Sequence, residues 1–498
     1  MTISTTIQTD PRILAGELSN QNIIDGALVP AISGRTFEVI DPATMTVIGE
    51  APFSEQADVD AAVAAANAAR HEWAKTPATE RGRMITECGR RLEAHAEEMA
   101  NLITLETGKA LRTESRVEAN LLREVWEFHG GLGSELKGET IPYKSGMLPL
   151  TIREPLGVVG AIIPWNVPAY LMGLKICPAL VAGNTVVLKS AEEAPLCILR
   201  AAQIMSEVLP PGVLNLLAGY GPECGAPIAA HPDVHKVSFT GSVEAGRSVY
   251  GNAAAHLAPV VLELGGKSPM IVYEDADIER AVAGAVTGMR FTRQGQSCSA
   301  SSRMFVHASL HDEFIERMAA AVDAMVMGDP FDEATDMGSI ISPQQFETVQ
   351  RYIDLARALP HATLQECSAL PTDPRLADGL FLRPVILSGV TNDDIVCREE
   401  IFGPVASVIS WTDEASVLEQ ANDTEYGLCG TVWTRDIGRA MQAVERIDAG
   451  FVQINQNLVV QPGLPYGGFR NSGLGQEACR EAMLEHCTKR KTIIINTE

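Results

Sequence analysis

Between positions 158 and 266 short runs of β-branched and apolar residues recur with helix-length stretches between them: VVGAII (158–163), NTVVLKS (184–190), VLNLLAG (213–219), KVSFTG (236–241) and PVVLELGG (259–266). Strands spaced this way are too far apart for hairpins, so they pair in parallel through crossover helices that cover the faces of the sheet. A second series follows in PMIVYED (269–275), RMFVHAS (303–309), GPVASVISW (403–411), GTVWTRD (430–436) and GFVQIN (450–455), with helical stretches such as 277–289 and 312–327 between them. The Ala-rich segment 57–90 has apolar spacings of three and four and no proline before Pro77, which predicts two helices over a sheet. The expected fold is α/β, with one parallel-sheet unit followed by another.

Two segments belong to neither series. ETIPYKSGMLPLTIREP (139–155), with a Ser145-Gly146 turn between β-prone runs, and KRKTIIIN (489–496) read as projecting strands. An exposed strand offers unpaired backbone groups to another chain, so these arms predict a homodimer or homotetramer, usually built on two-fold symmetry.

Composition narrows the function classes. The 498 residues, 46% hydrophobic, suffice for a large core, and 39 basic against 63 acidic side chains leave a net charge of −24. Such a surface repels nucleic-acid phosphates and anionic lipid headgroups, so neither a nucleic acid nor a membrane is an expected partner. The opening MTISTTIQTDPRIL lacks a basic stretch followed by an apolar one, and no run approaches the ~20 apolar residues that span a bilayer. Ten cysteines without a CxxC pair suggest neither a disulfide framework nor a metal site, and a cytoplasmic location is expected.

Among those cysteines Cys298 has the most suggestive surroundings, the small-residue string GQSCSASSR (295–303) just before a strand, where a substrate could approach a thiolate closely. Glu263 ends an apolar strand ahead of two glycines. Desolvation there raises a carboxyl pKa and suits it to proton abstraction, whereas the plainer reading is a buried salt bridge to Lys267 or Lys175. The Gly-Lys-Ser at 266–268 resembles the end of a phosphate-binding loop, but Val261 stands where its first glycine belongs, which excludes nucleotide hydrolysis. Asn166, in PWNVP (164–168), could donate to a developing oxyanion or simply form a turn or helix cap. Lys189 and Glu192 follow a strand at the edge where parallel sheets bind ligands, and could hold ribose hydroxyls. Gly241 and Ser242 lie between a strand and a helix N-terminus whose free amides favour a pyrophosphate, although the GxGxxG fingerprint is absent.

Taken together, PWNVP, LELGGKSP (262–269), GQSCSASSR, EEIFGPV (399–405) and PYGGFRNSG (465–473) resemble the NAD(P)-dependent aldehyde dehydrogenase superfamily in order and approximate spacing, from about position 23 to the end. The resemblance implies a Rossmann-like NAD-binding domain (1–137 and 152–264), a second α/β catalytic domain (265–478) and a small β oligomerisation arm (138–151 and 479–498). It makes Cys298 the nucleophile, Glu263 the general base, Asn166 an oxyanion donor beside the Cys298 amide, and Lys175 a supporting lysine. It assigns Lys189 and Glu192 to the adenine ribose, Trp165, Gly241 and Ser242 to the pyrophosphate and adjoining ribose, and Glu400 and Phe402 to the nicotinamide ribose and ring. A carboxylate at Glu192 accepts from a 2′-hydroxyl and repels a 2′-phosphate, so NAD is the expected cofactor, with NADP also used in the family. Relatives that pass the acyl group to coenzyme A lack a base like Glu263, so hydrolysis to the carboxylic acid is expected.

By the same resemblance Val167, Tyr170, Leu171, Leu174, Thr292, Leu458, Val459 and Val460 line the entry tunnel. Apolar and roomy, it suits a medium aliphatic or aromatic aldehyde. Arg293 is the exception: pointing inward it would favour a carboxylate-bearing semialdehyde, and otherwise it pairs with backbone or a carboxylate outside. A thiol esterase is the competing enzyme class, but it would leave Lys189, Glu192, Glu400 and Phe402 without a task.

Overall fold

The computed structural model describes residues 10–457 and 461–498, and in it the two predicted series form two separate sheets. Across the first, the strands run in the order Gly473–Leu474, Val260–Glu263, Lys236–Thr240, Val158–Ile162, Thr185–Lys189, Leu214–Leu217, Asn22–Ile24 and Ala27–Val29. The five central strands are parallel and the edges antiparallel. From Val158–Ile162 the chain moves outward to Leu214–Leu217, then returns to lay Lys236–Thr240 on the other side. Strand order therefore reverses between Val158–Ile162 and Lys236–Thr240, which opens a crevice beyond their carboxyl ends. Val158–Ile162, Thr185–Lys189 and Leu214–Leu217 are buried throughout, as expected of strands covered on both faces.

The second sheet runs Thr363–Glu366, Val385–Ser388, Val405–Trp411, Arg303–His307, Pro269–Val272, Cys429–Trp433 and Phe451–Ile454, parallel except for the first. Two of these strands carried no pattern to announce them. Thr363–Glu366 is a largely exposed edge, and Val385–Ser388 is a four-residue run behind a proline.

The two predicted helices are Gln56–Lys75 and Ala78–Ala94, broken at Thr76-Pro77; the first packs on Thr185–Lys189 and Leu214–Leu217, whereas the second lies against the helices Arg116–Gly131, Pro168–Val181 and Pro195–Ser206 and not on the sheet. In the arm, Met147–Pro155 pairs antiparallel with Thr488–Asn496 from Pro155 opposite Thr488 to Met147 opposite Asn496. The run at 139–144 is not a strand; only Thr140 bridges back to Leu150, and Pro142 lacks the N–H a ladder needs. Among the described residues no helix is long and apolar enough to cross a membrane.

Arg303, fully buried at the start of its strand, ties the second sheet to two loops and to the end of the helix Glu414–Asn422. It donates to Lys267 O at 2.9 Å, Asn392 Oδ1 at 2.8 Å, Gln420 O at 3.1 Å and Ala421 O at 2.8 Å. Arg303→Met leaves these acceptors unpaired and is expected to cost about 3 kcal/mol or more in urea unfolding; a loss below about 1 kcal/mol would contradict this role.

Candidate active site

The crevice is a cavity of about 300 Å³, lined from one side by Pro164, Trp165 and Asn166 and by Thr240, Gly241 and Ser242, each group following one of the two strands that flank the reversal. From the other side come Cys298, Glu400 and Phe402. Ser242 caps the helix Val243–Ala254, its Oγ accepting from Ala245 N at 3.2 Å, so a helix N-terminus opens onto the cavity. Trp165 and Phe402 meet edge to face at 5.3 Å. Glu400 Oε1 accepts from Gly266 N at 2.9 Å, and burial lifts the Glu400 pKa to about 7. Lys189 and Glu192 stand at the end of the neighbouring strand, outside this cavity. The Lys189 ammonium donates to Ser190 O at 2.8 Å and to Glu192 Oε2 at 3.3 Å.

Asn166 precedes the helix Pro168–Val181, whose N-cap is Val167, so its carboxamide is not the cap. Instead Nδ2 donates to Gln296 O at 3.3 Å, toward the loop of Cys298. That loop turns through left-handed residues Arg290, Gln294 and Gly295, and a Cβ on Gly295 would overlap Gly403 O. All ten cysteines are free thiols, and Cys298 alone is partly exposed. Burial and the Glu400 charge push its pKa up to about 11, while the Tyr466 hydroxyl, 4.0 Å from Sγ, and Arg293 act in the opposite direction. The resting residue is therefore a thiol. Tyr466 Oη lies 3.9 Å from a second sulfur, Cys429 Sγ.

Glu263 ends its strand with both carboxyl oxygens buried and unbonded, so it forms neither of the salt bridges considered above. Lys175 instead pairs with Glu477 at 2.8 Å, with Ser238 Oγ donating to the same oxygen at 2.9 Å. Burial holds the Glu263 pKa well above the carboxylate range, the Glu477 charge raises it further, and Lys175 opposes both. Burial acts on Glu477 in the same sense, but Lys175 and the hydrogen bonds outweigh it and keep Glu477 ionised. One lysine thus faces two acids, bonds one of them and leaves the other with a raised pKa.

Arg293 is occupied by a buried carboxylate, Glu114, whose Oε2 accepts from Nε at 2.8 Å and Nη2 at 2.5 Å. Thr292 Oγ1 donates to the other Glu114 oxygen at 2.5 Å. Val167 and Leu171 are half-buried on the same apolar cluster as Trp165 and Cys298. Tyr170 is buried, and Leu174 faces the Lys175–Glu477 pair. Leu458, Val459 and Val460 lie outside the described residues. Sequence reasoning missed Glu114, Tyr466 and Glu477. Tyr466 sits inside the PYGGFRNSG string, where its place in the motif was a signal, while the two acids had none.

Two α/β sheets, with a partly exposed thiol lining the cavity of about 300 Å³ between them, define a class of oxidoreductase. The sequence model of the aldehyde dehydrogenase family matches residues 29–493. Aldehyde dehydrogenase family 2 member B4, mitochondrial, of Arabidopsis thaliana is 40% identical over 462 residues, 92% of this chain and 85% of that one. Hydroxyisobutyraldehyde dehydrogenase of Mycolicibacterium austroafricanum is 39% identical over 477 residues, covering 95% and 93%. The structure of betaine aldehyde dehydrogenase from Staphylococcus aureus with NAD+ superposes with a TM-score of 0.94 at 35% identity, covering 99% of this chain and 98% of that one. The chain belongs to the aldehyde dehydrogenase family, enzymes that oxidise aldehydes to carboxylic acids.

In the native protein Cys298 is expected to react with a disulfide reagent faster than the other nine thiols, and Cys298→Ala removes that leading phase. Two or more fast thiols would contradict the burial of the other nine.

Proposed function

We propose that the protein oxidises an apolar aldehyde with NAD through a covalent cysteine route. The observation that carries this reading is that Cys298 lines the same cavity as Gly241, Ser242, Glu400 and Phe402. Those residues fit a dinucleotide: a helix N-terminus for the pyrophosphate, Glu400 and Phe402 for the nicotinamide end, and Lys189 with the part-exposed Glu192 for the adenine ribose. Glu192 favours NAD over NADP. When bound, NAD supplies the hydride acceptor.

Cys298 gives up its thiol proton to solvent, the resulting thiolate adds to the aldehyde carbon, and Asn166 Nδ2 with the Cys298 amide receives the negative oxygen. Loss of hydride leaves a thioester on Cys298. Glu263 then takes a proton from water, which attacks the thioester and releases the acid and the free thiol. Burial and the Glu477 charge beside Glu263 raise that acid's proton affinity, and Lys175 opposes them. Val167 and Leu171 give the substrate an apolar wall, and the Glu114 pairing removes Arg293 as a carboxylate receptor, which supports an aliphatic or aromatic aldehyde over a semialdehyde.

The two sheets and the strand pair support a division into 1–137 with 152–264, 265–478, and an arm of 138–151 with 479–498, although Gly473–Leu474 pairs with the first sheet and the arm strand continues to Pro155. Exposed Ile494 and Ile495 on Thr488–Asn496 support assembly into a homodimer or homotetramer through that arm. The ten unpaired thiols support a reducing, cytoplasmic setting.

Glu263→Gln is expected to keep a rapid burst of reduced cofactor, one per site, while steady turnover falls by ~10²–10⁴; no burst would overturn the assignment. The ionised form of Glu263 is the active base, and the Glu477 charge raises the pH at which it ionises. Glu477→Gln therefore moves the acidic limb of kcat to lower pH, and a move to higher pH would count against the arrangement.

A further inference from the structure

The helix Pro168–Val181 starts without a capping side chain of its own, because Val167 occupies the N-cap. Its free amides are taken by a residue some fifty positions earlier: Glu118 Oε1 accepts from Ala169 N at 2.8 Å and from Tyr170 N at 3.2 Å. The second oxygen, Oε2, accepts from the Lys109 ammonium at 2.5 Å, and the same ammonium donates to the backbone carbonyl of Asn166 at 3.0 Å. The two side chains are only 2% and 1% exposed. One buried ion pair thus grips the turn on both sides, the ammonium at residue 166 and the carboxylate at residues 169 and 170.

Lys109 is brought there by Gly108, whose left-handed backbone (φ +68°) ends the helix Ala96–Thr107, and where a Cβ would overlap Ser339 Oγ. Glu118 comes from the helix Arg116–Gly131. Stability alone does not account for the pair. Buried ion pairs are often no better for folding than apolar residues of the same volume, and a Ser or Asp at position 167 would cap the helix locally.

We propose that Lys109 and Glu118 are positioning residues for oxyanion stabilisation. They fix the turn so that the Asn166 carboxamide stays aimed at the oxygen where negative charge develops. Preorganisation is what gives such a donor its effect, and a small displacement forfeits much of it. Because the pair is neutral overall, it holds the turn without adding a net charge that would bias the nearby thiol. The inference rests on the reading of Asn166 as an oxyanion donor.

The test is a double-mutant cycle on the single-turnover rate of reduced-cofactor formation, normalised to the reactive Cys298 thiol. Asn166→Ala is expected to slow it by ~10²–10³ and Lys109→Met by ~10–100. In the Asn166→Ala background Lys109→Met is expected to add less than about threefold. Lys109→Arg recovers most of the rate, and the dissociation constant for NAD stays at the parent value throughout. Equal slowing by Lys109→Met in both backgrounds would show a merely structural role and overturn the proposal. A slow Asn166→Ala with an unaffected Lys109→Met would also sink it, while leaving the oxyanion reading intact. An unaffected Asn166→Ala would remove that reading and this one with it. If Lys109→Met does not fold, the cycle is run with Lys109→Met/Glu118→Gln, which leaves no unpaired buried charge.

Discussion

Five residues, Leu264 to Ser268, carry the chain from the last central strand of the first sheet to the first strand of the second. In the middle of that crossing Gly265 and Gly266 have no room for a side chain. A Cβ on the first would overlap Glu400 Oε2, and one on the second would overlap the Cys298 carbonyl oxygen. The requirement here is close approach rather than an unusual φ. Through it the end of Glu263's strand, the loop of Cys298 and the turn of Glu400 converge, and Gly266 N seals the contact by donating to Glu400 at 2.9 Å. A larger residue at 266 would push the thiol loop away from the crevice, and one at 265 would displace the Glu400 carboxylate.

The electrostatics of that junction follow from burial. In water Glu263, Glu400 and Glu477 would all be ionised at neutral pH. Here Lys175 and Ser238 satisfy Glu477, burial lifts the Glu400 pKa to about 7, and burial with the Glu477 charge holds the Glu263 pKa well above the carboxylate range. Burial pushes the Cys298 thiol up to about 11. A strongly acidic chain has thus built a site in which burial raises the proton affinity of the reactive groups, and whose permanent charges are locked in the pairs Lys175–Glu477, Arg293–Glu114 and Lys109–Glu118. Each pair sits against a segment that bears a reacting group, so the buried charges act on geometry and proton affinity.

The parallel strands were legible because strands buried on both faces must be continuous apolar runs, and the crossovers impose their spacing. Val385–Ser388 and the exposed Thr363–Glu366 were not, the one too short and the other too polar to stand out from loops. In the site, Cys298, Asn166 and Glu263 lie in short strings of small, apolar or turn-forming residues, and these became specific, with Glu400 among them, only when five motifs were taken together in their order and spacing. Glu114, Glu118 and Glu477 lie in none of those motifs. They are ordinary acids in their local setting and become particular only when folding brings them to Arg293, to the amides of Ala169 and Tyr170, and to Lys175. Arg293 shows the same limit in reverse, since its local string left open an inward direction that only the position of Glu114 decides.

Acid-quenching the enzyme during turnover with NAD and an aldehyde, followed by proteolysis and mass analysis, tests the central claim most directly. The account predicts one acyl group per chain, on the peptide that contains Cys298. An acyl group on another residue, or none under conditions where reduced cofactor accumulates, would contradict it.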